Sequence, residues 1–125
     1  MITTVAVLGV VLLNCLAVLQ VLLAAGAPLG RFAWGGQHEV LPVHLRIGSA
    51  VSVVLYAFFA LLMLQAAGAI EALPSGVAGV GIWVLTGYLA VGVVMNAVSR
   101  SRPERLVMTP TALALALVCL VLALR

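Results

Sequence analysis

The sequence predicts an all-α membrane protein, a polytopic bundle of four transmembrane helices. Hydrophobic residues make up 66% of the 125 residues and charged residues only 7%, with a mean hydropathy of +1.35. A soluble domain is about half apolar and ~25% charged, so neither a soluble domain nor a disordered chain fits. The apolar residues form four runs that lack the alternation of barrel strands. Helices are the expected spanning elements because their backbone groups bond internally.

Four apolar runs set the predicted helix boundaries within one transmembrane domain. A hydrocarbon core about 30 Å thick needs ~20 helical residues, and the first three runs reach that length. The fourth is shorter, with Pro110 expected at the helix start after a Thr109 N-cap, so it needs the apolar residues in front of it. The first run lacks the positive flank of a cleaved signal sequence and is expected to remain a helix that ends at Gly26. The domain covers 1–125, and the predicted helices cover 2–25, 45–67, 77–98 and 107–124.

The placement of the arginines predicts the orientation. Five of the six lie in or beside the first loop, residues 26–44, and the third loop, residues 99–109. The positive-inside rule puts these loops in the cytoplasm and both termini outside. Every basic residue is an arginine, a bias that indicates a high-GC bacterial genome, so the bacterial plasma membrane is the expected location. These arginines favour anionic lipid as a partner, whereas no basic face is long enough to bind nucleic acid.

The first and third loops carry most of the polar side chains that could perform chemistry. Because the loops share one side of the membrane, we expect Arg102 or Arg105 to pair with Glu39, and the surplus positive charge to bind an anionic lipid phosphate. The simpler alternative is that the arginines only set topology, Trp34 sits in the interfacial belt and Glu104 pairs locally. The candidate headgroup or anion site comprises Trp34, His38, Glu39, Asn96, Ser99, Arg102 and Arg105.

The two histidines do not form a recognisable metal motif. His38-Glu39 is followed by His44, a longer spacing than in the His-Glu-x-x-His zinc motif, and Pro42 would break the helix that this motif needs. The two cysteines lie inside predicted helices, remote from this loop. We therefore predict no metal, no cofactor and no catalytic residue.

Polar side chains inside the predicted helices are candidates for a path through the membrane or for contacts between helices. Asn14 lies near the middle of the first helix, where an amide is expected to bond to another helix and so to mark the inward face. No charged residue lies in the middle of a predicted helix, although proton-coupled carriers need one. The intramembrane candidates are Asn14, Gln20 and Thr86.

Pairs of small residues predict self-association. Gly48 with Ser52, and Ala112 with Ala116, are four apart in sequence and permit close approach of helices. Four helices leave little interior for both a packed core and a pathway. We therefore expect a homo-oligomer or membership of a larger membrane complex.

Two stretches resemble those of small uncharacterised bacterial integral membrane proteins with four predicted spans. One comprises residues 33–38, Leu41-Pro42 and residues 45–49; the other comprises Asn96, residues 99–101, Glu104-Arg105 and residues 108–110. The resemblance implies no activity, because none is assigned to such proteins. The chain does not match the small multidrug exporters, whose first helix carries a glutamate where this chain has Asn14, nor the fluoride channels of similar size.

Three functional classes remain open from the sequence. The first is a non-enzymatic lipid- or partner-binding module, or a small subunit of a membrane complex, which the lack of a catalytic motif favours. The second is an oligomeric small-solute transporter or channel, lined by Asn14, Gln20, Thr86 and Asn96. The third is a membrane enzyme acting on lipid headgroups or isoprenoids at the cytoplasmic face, with His38 or Glu39 as the base.

Overall fold

The computed structural model describes all 125 residues and contains helices but no strands. Each of the four main helices is long and apolar enough to span a membrane, which confirms the predicted four-helix membrane bundle. Two short 3-10 turns, Gly30–Phe32 and Trp34–Gly36, lie in the first loop. The main helices are α1 (Ile2–Ala24), α2 (Val43–Ala66), α3 (Ser75–Ala97) and α4 (Arg102–Leu124).

Helix α4 begins five residues earlier than the predicted start at residue 107. Ser101 occupies the N-cap position, Pro103 lies in the first turn and Glu104 is the third helical residue. Proline is preformed for the first turn of a helix, and Ser-x-x-Glu is a common start sequence. The expected start at Thr109 and Pro110 is therefore wrong. Pro110 lies inside the helix, which transmembrane helices tolerate more readily than soluble ones.

Helices α1 and α2 end in the same way, through a repeated Leu-x-Ala-Ala-Gly-Ala sequence at 22–27 and 64–69. In α1, the Gly26 N–H donates to Leu23 O and the Ala27 N–H donates to Leu22 O, which is the Schellman arrangement. Helix α2 repeats both bonds around Gly68. Both glycines adopt positive φ angles, +94° and +80°, as this helix ending requires.

Three arginines bind the carbonyl ends of helices. Arg46 Nε donates to Ala24 O at 2.9 Å, and Arg125 Nη1 donates to Ala66 O at 3.2 Å, the equivalent carbonyl of the second repeat. Arg105 Nη1 donates to Ser99 O, just beyond the end of α3, at 3.0 Å. A cation at a helix C-terminus satisfies free carbonyls and complements the helix dipole. These arginines therefore have a structural role as well as any role in orientation.

The bundle consists of two helical hairpins that contact each other less extensively than the helices within each hairpin do. Helix α1 packs along α2 and α3 packs along α4, while contact between α1 and α4 joins the hairpins. The core centres on residues that are at most 2% exposed. Only 22 of the 125 residues are buried, so most apolar side chains face outward, where lipid would cover them. The central core residues include Leu13, Met63, Leu115 and Cys119.

Helices α2 and α3 are consecutive in sequence, yet they contact each other much less than the two hairpin pairs do. They approach closely where Leu62 packs against Gly81, near the second loop. A cavity and an apolar groove occupy the space beside this contact, as described below.

The predicted small-residue interfaces are not on the surface. The Trp34 ring covers Gly48, where an added Cβ would lie 2.9 Å from Cη2 of the ring. Ala112 and Ala116 are buried within the bundle, at 8% and 9% exposed. These pairs serve contacts inside the protein, so the prediction that they are contacts between copies is wrong.

The closest packing in the core is at Gly9, and this position gives a test of the fold. An added Cβ there would lie 2.8 Å from both Met63 Sδ and Val118 Cγ1, whereas nothing lies within 4 Å of one at Gly87. We expect Gly9→Leu to lower the free energy of unfolding by about 1–3 kcal/mol, the usual range for overpacking. Gly87→Leu is the matched control and should be no less stable than the wild type. Equal stability of the two variants in detergent unfolding would contradict this packing.

Candidate functional site

The first loop folds into an ordered cover over the arginine-rich end of the bundle. The Gly30 N–H donates to Glu39 O at 2.8 Å, closing the loop on itself. A Cβ added at Gly30 would collide with His38 O. A larger residue at this position would therefore force the two segments of the loop apart. The loop is thereby held as a compact unit.

Trp34 anchors this cover to α2. Its backbone has a φ of +53°, a left-handed conformation that is uncommon for a residue other than glycine. The ring lies against Gly48, and Nε1 donates to Ser49 Oγ at 3.1 Å. Ser49 is fully buried, so this bond satisfies a polar group that would otherwise be unpaired. Such strained conformations cost about 1–3 kcal/mol and persist only when their surroundings hold them.

The first loop also binds the start of α4. Ser101 Oγ donates to Arg31 O, and the Gly35 N–H donates to Glu104 Oε2 at 3.4 Å. Gly36 lies directly against Ser101, with φ +71°. The two residues of the Ser-x-x-Glu start sequence thus bond to the loop and make no capping bond within α4. The first and third loops are consequently in contact.

Beneath this cover lies a cavity of about 360 Å³ between the two hairpins. It reaches from the first loop to the middle of the bundle, where apolar residues of all four helices surround it. Its polar lining comes mainly from the end near the loop, so the cavity has a polar end and an apolar end. The polar and aromatic residues of its wall are Gln20, Phe32, Trp34, Ser52, Tyr56, Phe59, Tyr88, Asn96, Glu104 and Thr111.

Glu104 is the only carboxylate in the cavity wall, and no arginine or histidine lines it. Its side chain is buried, at 7% exposed. The only hydrogen bond to its carboxylate is the one from the Gly35 N–H, and no basic group lies within 4.0 Å. Gln20 also lines the wall, but its Oε1 is buried without a partner and is not accessible from the cavity. The polar end of the cavity therefore presents one carboxylate to which the protein itself gives a single hydrogen bond.

An aromatic pair separates the cavity from the lipid side. The Phe59 and Tyr88 rings lie 5.6 Å apart between centroids, inclined at 53°. Both residues line the cavity and also a groove of about 650 Å³ between α2 and α3, whose wall is almost entirely apolar. Tyr88 is 58% exposed. The groove and the cavity thus meet at side chains that can change rotamer.

The predicted headgroup cluster is divided in the structure. Trp34 and Asn96 line the cavity, and Asn96 Nδ2 donates to Gly92 O within its own helix. Ser99 and Arg105 hold the turn between α3 and α4 through Ser99 O and through Ser99 Oγ, which accepts the Ser101 N–H. His38, Glu39 and Arg102 are exposed and do not line the cavity.

The predicted ion pairs are not formed. No arginine lies within 4.0 Å of the Glu39 carboxylate, so the predicted pairing with Arg102 or Arg105 is wrong. Arg105 binds a backbone carbonyl, and Arg102 is exposed. Glu104 does not pair locally either, because its partner is the first loop.

The intramembrane candidates do not form a common path. Gln20 lines the cavity, and its Nε2 donates to the Tyr56 hydroxyl at 3.4 Å. Thr86 Oγ1 donates to Ile82 O of its own helix and lies outside the cavity wall. Asn14 is exposed on the outer surface of α1, so the expectation that it marks an inward face is wrong.

Glu104 and Tyr56 are the site residues that sequence reasoning missed. For Glu104 a usable signal was present: Ser101 followed three residues later by Glu104, with Pro103 between them, indicates a helix start. A start there places the carboxylate at the end of the bundle instead of in a solvated loop. Tyr56 gave no comparable signal, because a tyrosine in an apolar run is equally typical of a lipid-facing position.

The structure contains no group of three or more His, Cys, Asp or Glu side chains placed to hold a metal ion. The chain matches no protein-family model, no curated protein and no solved structure.

Two neighbouring glycines test the contact between the first loop and α4. Gly35 and Gly36 both have positive φ angles, so alanine strains the backbone at either position. Only Gly36 has a close neighbour, Ser101, whereas a Cβ at Gly35 meets only Gln37 Cγ at 4.0 Å. We expect Gly36→Ala to lower the free energy of unfolding by about 1–3 kcal/mol more than Gly35→Ala. If limited proteolysis and unfolding show equal effects, the loop does not bind α4.

Proposed function

We propose that this protein binds an amphipathic, lipid-like molecule whose polar end carries a positive charge or several hydrogen-bond donors. The observation that carries the proposal is the Glu104 carboxylate, which is buried, faces a cavity and lacks a basic partner. Taking a carboxylate out of water is unfavourable unless a counter-charge or hydrogen-bond donors compensate it. A cationic or donor group of a ligand in the cavity would supply that compensation.

The shape of the site supports an amphipathic ligand. Small-molecule cavities span about 300–1,000 Å³, and this one is of about 360 Å³. Its deep end is formed by Leu13, Leu89 and Leu115, which suits an alkyl segment. The adjoining groove between α2 and α3 supplies a further apolar surface open to lipid. Entry from the bilayer, past Phe59 and Tyr88, would not require the ligand to cross water.

The chemistry of the wall favours binding over catalysis. Acid–base and nucleophilic catalysis usually combine a carboxylate, histidine or cysteine with a second such group within hydrogen-bond reach. The cavity wall contains Glu104 without a histidine, a cysteine or a second acid. This proposal keeps the lipid-binding class expected from the sequence. It replaces the anionic phosphate at the arginines with a cationic or donor group at Glu104.

The proposed setting is the bacterial plasma membrane, with the first and third loops in the cytoplasm and both termini outside. The support is the arginine distribution, five of six on the side of these loops. The Glu104 end of the cavity would then lie near the cytoplasmic headgroups.

Ligand preference can be tested through Trp34, which lines the cavity, once the exposed Trp83 is replaced in a Trp83→Phe background. The probes are a bromoalkyl-trimethylammonium and a bromoalkyl-sulfonate of equal chain length, added to the protein in lipid nanodiscs. We expect the ammonium to quench Trp34 fluorescence at lower concentration than the sulfonate. Glu104→Gln should weaken ammonium binding about 10- to 100-fold, because it removes the negative charge that attracts the quaternary ammonium, an ionic contribution of roughly 1.4–2.8 kcal/mol.

Glu39→Gln is the matched control, because Glu39 is exposed and lies outside the cavity. It should leave ammonium quenching unchanged. Unchanged ammonium affinity in Glu104→Gln, or equal affinity of the wild type for both probes, would contradict the proposed function.

Orientation is tested by single cysteines at Gln37 in the first loop and Ser75 at the start of α3, both exposed. With Cys15 replaced by alanine, a membrane-impermeant maleimide added to intact cells should label Ser75→Cys and spare Gln37→Cys until the cells are opened. The reverse pattern would show the opposite orientation.

A further inference from the structure

We propose that the outer face of α1 binds a second copy of this chain, in a parallel pair centred on Asn14. The surface, here called the Asn14 seam, is defined by one exposed stripe of the helix. Its residues are Thr4, Val7, Val11, Asn14, Val18, Val21 and Ala25.

Asn14 has an unmet requirement for hydrogen bonds. It lies one residue beyond the midpoint of α1, which spans Ile2–Ala24 and so is centred on residue 13. Its side chain is exposed and makes no hydrogen bond within the chain. Among the polar side chains that face outward or line the bundle, Thr86 and Asn96 are paired within their own helices, with Ile82 O and Gly92 O. An amide at this depth faces hydrocarbon, where an unpaired polar group is costly.

The spacing of the seam suits a pair of helices. Its residues alternate three and four apart, which is the a/d pattern of a heptad repeat, and Asn14 occupies the central d position. A repeat of 3.5 residues keeps the same stripe facing a partner helix when the two wind around each other with a left-handed twist. The buried face of the same helix, with Gly9 and Leu13, points into the bundle. The residues of the seam therefore remain exposed within the single chain.

The partner that this surface fits is another copy. All copies insert into the membrane with the same orientation, so a twofold axis along the membrane normal sets identical residues opposite each other. Asn14 then meets Asn14 of the second copy, and each amide offers both a donor and an acceptor. A single buried asparagine at an a position fixes register and oligomeric state in soluble coiled coils, and we infer the same effect for Asn14 at a d position. Any other partner would need its own polar group at the same depth.

Helix α3 has a face with the same spacing as the Asn14 seam but without a polar side chain. Its outer face repeats the same three-and-four spacing with Val84, Val91 and Val94, all exposed, and with Gly87 in the asparagine's position. None of these side chains is polar, so lipid satisfies them. Val84 lines the groove and Val91 the cavity, whereas Val94 belongs to neither wall and therefore serves as the control position.

The first experiment is oxidative cross-linking of the full chain in lipid vesicles, with Cys15 replaced by alanine and the buried Cys119 kept. Cysteine introduced as Val11→Cys or Val18→Cys should give disulfide-linked dimers, because both positions lie in the seam. Val94→Cys on the α3 face should give few such dimers. Equal cross-linking at Val94 would overturn the assignment of the interface.

The second experiment measures association in vesicles by energy transfer between labelled copies over a range of protein-to-lipid ratios. We expect Asn14→Val to weaken association about 3- to 30-fold, the range for a hydrogen bond between membrane helices. Asn14→Gln keeps an amide, so this variant should retain most of the association between copies. Circular dichroism should show unchanged helix content, because residue 14 is outside the core. A wild type that stays monomeric, or Asn14→Val that associates as tightly, would overturn the proposal.

Discussion

Inside a bilayer no water is available to pair with a backbone or side-chain polar group, and this constraint accounts for the irregular features of the fold. The helices satisfy their own interior, but each leaves free carbonyls at its end. In α1 and α2, the Schellman endings at Gly26 and Gly68 supply backbone N–H groups that bond two of these carbonyls in each helix. Arg46 and Arg125 bond the next carbonyl in each case. The same repeated sequence thus receives the same cation, once from α2 and once from α4, and each bond ties together two helices.

The same constraint explains how the first loop creates the candidate site. Trp34 tolerates a left-handed backbone because its ring packs on Gly48 and its Nε1 binds the buried Ser49. That fixed loop presents the Gly35 N–H to Glu104. The carboxylate is held in place but is only partly satisfied. A positioned, incompletely paired acceptor above an apolar cavity is the feature that supports the proposed binding of an amphipathic molecule.

Hydrophobic runs were sufficient to predict the number of spans and their approximate positions, because a run of about 20 apolar residues is a length requirement of the bilayer. They were insufficient to predict which way each face points. The inward Leu13 and the outward Val11 are equally apolar, so periodicity carries little information in such helices. The wrong prediction of an inward-facing Asn14 has this cause. For the arginines, the sequence indicates topology alone, because their bonds to distant carbonyls depend on tertiary contacts that no local pattern encodes.

The central claim is that Glu104 faces a cavity reached from lipid and not from water. The chain has three acidic residues, and Glu39 and Glu71 are exposed. They therefore serve as internal references for carbodiimide labelling in membranes, followed by mass spectrometry of peptides. The account predicts that dicyclohexylcarbodiimide, which partitions into lipid, modifies Glu104, while a water-soluble carbodiimide modifies Glu39 and Glu71 and spares it. Labelling of Glu104 by the water-soluble reagent as fast as Glu39 would contradict the account.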